Sequence, residues 1–75
     1  SLEVDFVAQK GTDIRYYQVS LSVMEETVLA RELAPFQKIT DNFPKYLITM
    51  DTIDFSQNGI IHQNLYDFLL GKNKQ

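Results

Sequence analysis

The run KYLITMD, Lys45 to Asp51, constrains this chain more than any other stretch. It is almost continuously apolar over the length of one strand. An alternating run would face water on one side; this one suits a strand buried on both faces. A helical pattern precedes it and a strand pattern precedes that. A strand–helix–strand unit of this length implies a right-handed crossover and a parallel pair. The chain must achieve this with 75 residues and no cysteine. A domain of that size buries only about 60% of its unfolded surface, and no disulfide can compensate.

The other elements read outward from that strand. Val4, Phe6 and Ala8 alternate with Glu3, Asp5 and Val7, the period-two pattern of a strand. QKGTD follows, with Gly11 able to take the positive φ of a tight turn. Ile14 to Val23 is rich in β-branched and aromatic residues. Tyr17, Val19, Leu21 and Val23 face one way, and Ile14, Tyr16, Gln18 and Ser20 the other. Two such runs joined by a short Gly-containing loop predict an antiparallel hairpin. Ser22 and Glu25 stand three apart and read as a capping box at a helix start. Val28, Leu29, Leu33 and Phe36 recur at helical spacing, on a run continuing towards Ile39. Pro35 predicts a kink or break there. TDNFPK is a polar connection, and TIDFSQNG is a loop. Gly59 to His62 adds a short strand. NLYDFLLG, Asn64 to Gly71, is a short helix with Leu65, Phe68 and Leu69 inward and Gly71 as its stop. The order is β-β-α-β-(β)-α, an α/β domain with a mixed sheet of three or four strands.

Composition excludes several functions. The net charge is −3, with seven Lys and Arg scattered along the chain, whereas nucleic-acid binders of this size carry a basic face. No run approaches the roughly 18 apolar residues that span a membrane, and no signal peptide is visible. The absence of cysteine rules out Cys-based zinc sites and fits a cytoplasmic protein. His62 is the only histidine and has no nucleophile signature around it. No GxxxxGK[ST] occurs, so these residues do not form a P-loop. The strand pattern begins by Leu2 or Glu3 with no preceding turn. The chain therefore reads as a piece of a longer protein, with Ser1 a cloning remnant.

The segments EVDFV, YYQVS, ARELAPFQKI, DNFPKYLITMD and NLYDFLL, in this order and spacing, resemble the C-terminal domain of a family of prokaryotic AAA-type ATPases. The resemblance runs from Glu3 to Leu70. It implies an N-terminal P-loop module that binds ATP outside these residues, and a winged-helix-like middle. It also implies a partial restriction-endonuclease-like, PD-(D/E)XK core in the present chain. In such nucleases an Asp on one strand and an acid on the next hold Mg²⁺, and a Lys two residues further helps polarise the attack. By the resemblance Asp5 stands for the first acid, Gln18 for the second, Val19 for the intervening residue and Ser20 for the lysine. Gln18 keeps a neutral carbonyl oxygen but brings no charge, and Ser20 cannot replace a cation. Asp5 and Gln18 are thus a vestigial metal site, suited at most to weak Mg²⁺ binding.

Each signal also has a plainer reading. Glu3 and Asp5 suit the solvated face of an edge strand. Gln18 suits a hydrogen-bonding residue beneath the helix. Tyr16, Tyr17, Phe36, Phe43, Tyr46 and Phe55 offer stacking surfaces for bases but fit a core or its rim better. His62 reads as a satisfied structural histidine. Arg15, Arg31 and Lys38 read as solvated charges. The leading functional reading is a non-catalytic accessory domain that contacts the ATPase module of its own parent chain, another protein, or a second copy as a homodimer. A metal-dependent DNA nuclease with a variant site, and a purely structural support domain, are the alternatives. DNA is not the favoured partner.

Overall fold

The computed structural model describes residues 4–72, and Glu3 lies outside them. Strands β1 (Phe6–Lys10) and β2 (Asp13–Val19) form the hairpin; helix α1 (Glu26–Gln37) leads to β3 (Lys45–Thr49). Strand β4 (Ile60–Asn64) runs directly into helix α2 (Leu65–Leu69). The sheet is four-stranded and mixed, in the order β1-β2-β3-β4. The first pair is antiparallel and the other two are parallel. This is the α/β arrangement expected, with the short fourth strand fully formed. Among the described residues no helix is long and apolar enough to cross a membrane.

The continuous apolar run takes the position its pattern demands. Leu47 and Ile48 are buried on opposite faces of β3. Leu47 joins Tyr16, Val23, Leu33, Phe36 and Ile60 beneath α1, whereas Ile48 joins Tyr17 and Tyr46 on the other face, where Leu65 and Phe68 of α2 pack. The six aromatics weighed as base-stacking surfaces are accordingly core or half-buried residues. Gly71 stops α2 at a φ of +76°, as expected, and two turns beside strands also need positive φ. Gly11 takes +61° in the two-residue loop of the hairpin, and Asn58–Gly59 take +50° and +79° ahead of β4.

Several local expectations are corrected. The first strand begins at Phe6, and Phe6 is 53% exposed, because no helix covers that edge of the sheet. β2 stops at Val19, so Leu21 and Val23 do not continue its alternation. The chain turns at Ser20, whose hydroxyl donates to the Ser22 carbonyl, and Val23 enters the core under α1. Ser22 caps nothing in α1. The helix starts three residues later than the capping box required, Glu25 is its N-cap, and no side chain caps it. Pro35 does not break α1, which runs on to Gln37. A proline in the last turn removes a single helical bond, and the chain closes with Ile39 N–H donating to Phe36 O at 3.0 Å. Leu69 points outward, 68% exposed, since a helix of five residues presents only Leu65 and Phe68 to the sheet.

Candidate functional site

The hairpin holds the first candidate cluster. The chain approaches β1 at Asp5, where it crosses the end of β2. The Asp5 N–H donates to Gln18 Oε1 at 2.7 Å, and the Val19 N–H donates to Asp5 Oδ2 at 2.8 Å. Gln18 is buried, and its Nε2 donates to the Glu32 carbonyl of α1 at 3.0 Å. The structure therefore brings Asp5 and Gln18 together, as the metal-site pattern requires. It also engages the neutral oxygen of Gln18 with a backbone amide. An amide oxygen that already accepts one hydrogen bond, beside one exposed carboxylate, makes a poor site for a hard cation that prefers charged oxygens. Ser20, at the lysine position, is occupied with Ser22. Among the described residues no group of three or more His, Asp or Glu converges as a metal site would require.

Glu32 belongs to this cluster, and sequence reasoning missed it. It lies off the apolar stripe of α1, yet its side chain is only 17% exposed. Burial pushes its carboxyl above the usual carboxylate range, the charge of Asp5 pushes the same way, and Arg31 at 3.8 Å pulls it back. No spacing rule links residues 5 and 32. Only the packing of α1 over the end of the hairpin makes them neighbours.

A second cluster sits at the carboxyl ends of β3 and β4, where open α/β sheets commonly bind ligands. A cleft of about 360 Å³ there is lined by Asp51, Asp54, His62, Asn64 and Asp67 among others. Its floor is fully cross-bonded. His62 Nδ1 accepts the Phe55 N–H at 3.1 Å, so the ring proton sits on Nε2 and faces Thr49 Oγ1 at 2.6 Å. Asp51 N–H donates to the same Thr49 oxygen. The Asp51 carboxylate accepts the Ser22 hydroxyl and the Val23 N–H, each at 2.8 Å. Burial alone raises the Asp51 carboxyl. The bonds from Val23, Ser22 and Thr49 outweigh it and hold the group below the ordinary aspartate range. Ser22 is thus the far end of a latch from β3 to the β2–α1 connection, the role that the capping box mistook. His62 is the satisfied structural histidine expected. A buried imidazole with both nitrogens engaged, beside a buried threonine, offers neither an accessible base nor an accessible nucleophile.

A third cluster lies at the opposite end of the parallel strands. Tyr16 Oη donates to Asp41 Oδ2 at 2.5 Å, and Lys45 Nζ donates to the carbonyls of Asp41 and Phe43, each at 2.9 Å. The Tyr16 bond, with help from the Phe43 amide and Lys45, overcomes burial and lowers the Asp41 carboxyl, and the same bond raises the Tyr16 phenol. These groups flank an open groove of about 450 Å³ floored by Leu33, Phe36 and Ile60. The donors of the network all point at the chain itself, so it ties the α1–β3 connection to β2.

No family model, curated protein or solved structure matches this chain.

Proposed function

We propose that this chain is a non-catalytic interaction domain. In line with the resemblance to AAA-type ATPases, we assign it as a cytoplasmic accessory domain serving the ATPase module of its parent chain, on a nuclease-like fold whose metal position has become structural. The observation that carries the non-catalytic part is the pair of bonds between Asp5 and the end of β2. They turn the two residues of the metal pattern into a clasp for the hairpin. The acidic balance supports the same reading, since a net charge of −3 gives the chain no overall attraction for a phosphate backbone.

One observation favours the metal-dependent nuclease as the second reading: the Asp5 carboxylate lies near enough to Glu32 for its charge to add to burial in raising the Glu32 carboxyl. Two carboxylates can recruit Mg²⁺ weakly when substrate phosphates complete its shell. Titration of Mg²⁺ and then Mn²⁺ into ¹⁵N-labelled protein separates the two. The expected result is an amide spectrum unmoved around Asp5, Gln18 and Glu32 at millimolar metal. Shifts centred there and abolished by Asp5→Ala, together with DNA cleavage by the parent protein, would establish the nuclease instead. The ATPase assignment has its own test. The reading frame upstream of Ser1 is expected to contain GxxxxGK[ST], and removing the present residues from that protein is expected to change its rate of ATP hydrolysis. An upstream frame without a P-loop overturns that assignment.

A further inference from the structure

The two edges of the sheet are finished differently. The outer edge of β4 is covered by its own chain. Ile60 and Gln57 exchange backbone bonds at 2.8 and 3.0 Å, and the His62 N–H donates to Ser56 Oγ at 2.8 Å. The outer edge of β1 is paired with nothing among the described residues, and all five of its residues are exposed.

The backbone polarity of β1 follows from the hairpin. Lys10 and Asp13 flank a two-residue loop and form the first hydrogen-bonded pair. Alternation then directs Lys10, Ala8 and Phe6 at β2. On β2 the Tyr16 and Ser20 amides point the other way, to Pro44 O and Ile48 O, which is the same alternation seen from the next strand. Val7 and Gln9 consequently direct their N–H and C=O groups outward. Native sheets protect such an edge with an inward charge, a proline or a bulge. The centre of β1, Val-Ala-Gln, has none of these.

We propose that the β1 edge is the docking site for a second copy of this chain. The copies pair antiparallel about a two-fold axis through Ala8, joining two four-stranded sheets into one. The strand is self-complementary in that register. Val7 faces Gln9 of the second copy as a hydrogen-bonded pair on each side of the axis, so every outward backbone group of Val7 and Gln9 finds a partner. The small Ala8 meets its own equivalent at the close, non-hydrogen-bonded position. Phe6 faces Lys10, so the lysine stem covers the exposed ring and no like charges meet. This register overlaps all five residues, and each shift along the strand that keeps the backbone pairing shortens the overlap. The proposal is independent of the ATPase assignment.

Sedimentation velocity across an approximately hundredfold concentration range tests it, since a dimer of this kind dissociates by mass action. The expected result is a mass that rises from one chain to two, with the Val7 and Gln9 amides shifting in step. Ala8→Glu places two carboxylates face to face only in the proposed register, at a position exposed in the single chain. It is expected to weaken the dimer about fivefold or more while leaving the thermal melt of the dilute protein unchanged. Ala8→Cys, which introduces the sole thiol of the chain, is expected to oxidise to a linked dimer faster than a Thr12→Cys control at the hairpin tip. A single-chain mass at every concentration overturns the proposal. So does an Ala8→Glu protein that pairs as well as the parent, or an Ala8→Cys protein that links no faster than the control.

Discussion

The outer strands β1 and β4 have five residues each and very different surroundings. FVAQK is the more apolar by composition, yet Phe6 is 53% exposed; IIHQN carries His62 and Gln63, which are 2% and 1% exposed. Side-chain type does not explain that inversion. β4 is covered by α2 on one face, by Phe55 against His62 on the other, and along its edge by Ser56 and Gln57, and its polar groups are bonded within that cover. His62 holds Thr49 and the Phe55 amide, and Gln63 Nε2 donates to the Lys72 carbonyl at 2.5 Å. β1 is attached chiefly by its hairpin and by the Asp5–Gln18 clasp. Apolar residues at an uncovered edge contribute little stability and remain available to a partner. Polar residues under cover contribute to stability once every bond is made.

The contrast can be broken most directly at His62. His62→Ala removes a buried ring, leaves the Phe55 amide unpaired and takes one of the bonds from the Thr49 hydroxyl, so a loss of about 3 kcal/mol is expected in urea unfolding. A loss below about 1 kcal/mol would show that the covered edge is no stiffer than the open one. Gln18→Ala comes next. It leaves the Asp5 amide unpaired and removes the tie to the Glu32 carbonyl at the point where β1 is clasped to β2 and α1, and about 2 kcal/mol is expected. Hydrogen exchange should then rise along β1 and not along β4; equal loosening of both would remove the clasp from the explanation.

Acid should act on the covered end and the open edge with opposite sign. Asp51 and Asp41 titrate below the ordinary aspartate value, so they contribute stability above that value and lose it as pH falls through their lowered one. Glu32 titrates above its ordinary value. Its contribution is fully present below that value and is lost as pH rises through the raised one. Glu32→Gln is therefore expected to leave acid unfolding in place and to raise stability slightly near neutral pH. A drop at neutral pH would mean that the Glu32 charge is needed at the hairpin. The smallest effect is expected at Phe6. The ring keeps its tilted contact with Tyr17 at 5.6 Å, but it is half solvated, and Phe6→Ala should cost about 1 kcal/mol or less. A cost near that of His62→Ala would mean that β1 is covered in solution.

Much of the fold was legible because periodicity reports burial directly. The run at Lys45 to Asp51 fixed a central strand, the Gly11 turn fixed the hairpin, and the Leu33–Phe36 stripe fixed the inner face of α1. The role of Gln18 beneath the helix was legible for the same reason, a polar residue on a face that must be covered. The misreadings share one cause. Ser22 has the right neighbour for a helix cap in Glu25, but Asp51, 29 residues away, offers it a charged acceptor already ordered by the end of β3. Leu69 repeats the apolar character of Leu65 and Phe68, but α2 ends at that residue and only Leu65 and Phe68 pack on the sheet.

By itself the sequence determined which segments extend, which coil, and that one strand must be buried on both faces, since these depend on residues two to four apart. Only the tertiary structure decided which carboxylates become structural. Asp5 reaches Val19, Asp41 reaches Tyr16 and Asp51 reaches Ser22 across 14, 25 and 29 residues. Such bonds form only after the sheet has placed its strands, because hydrogen bonding depends on distance and direction in space, and chain spacing at that range specifies neither.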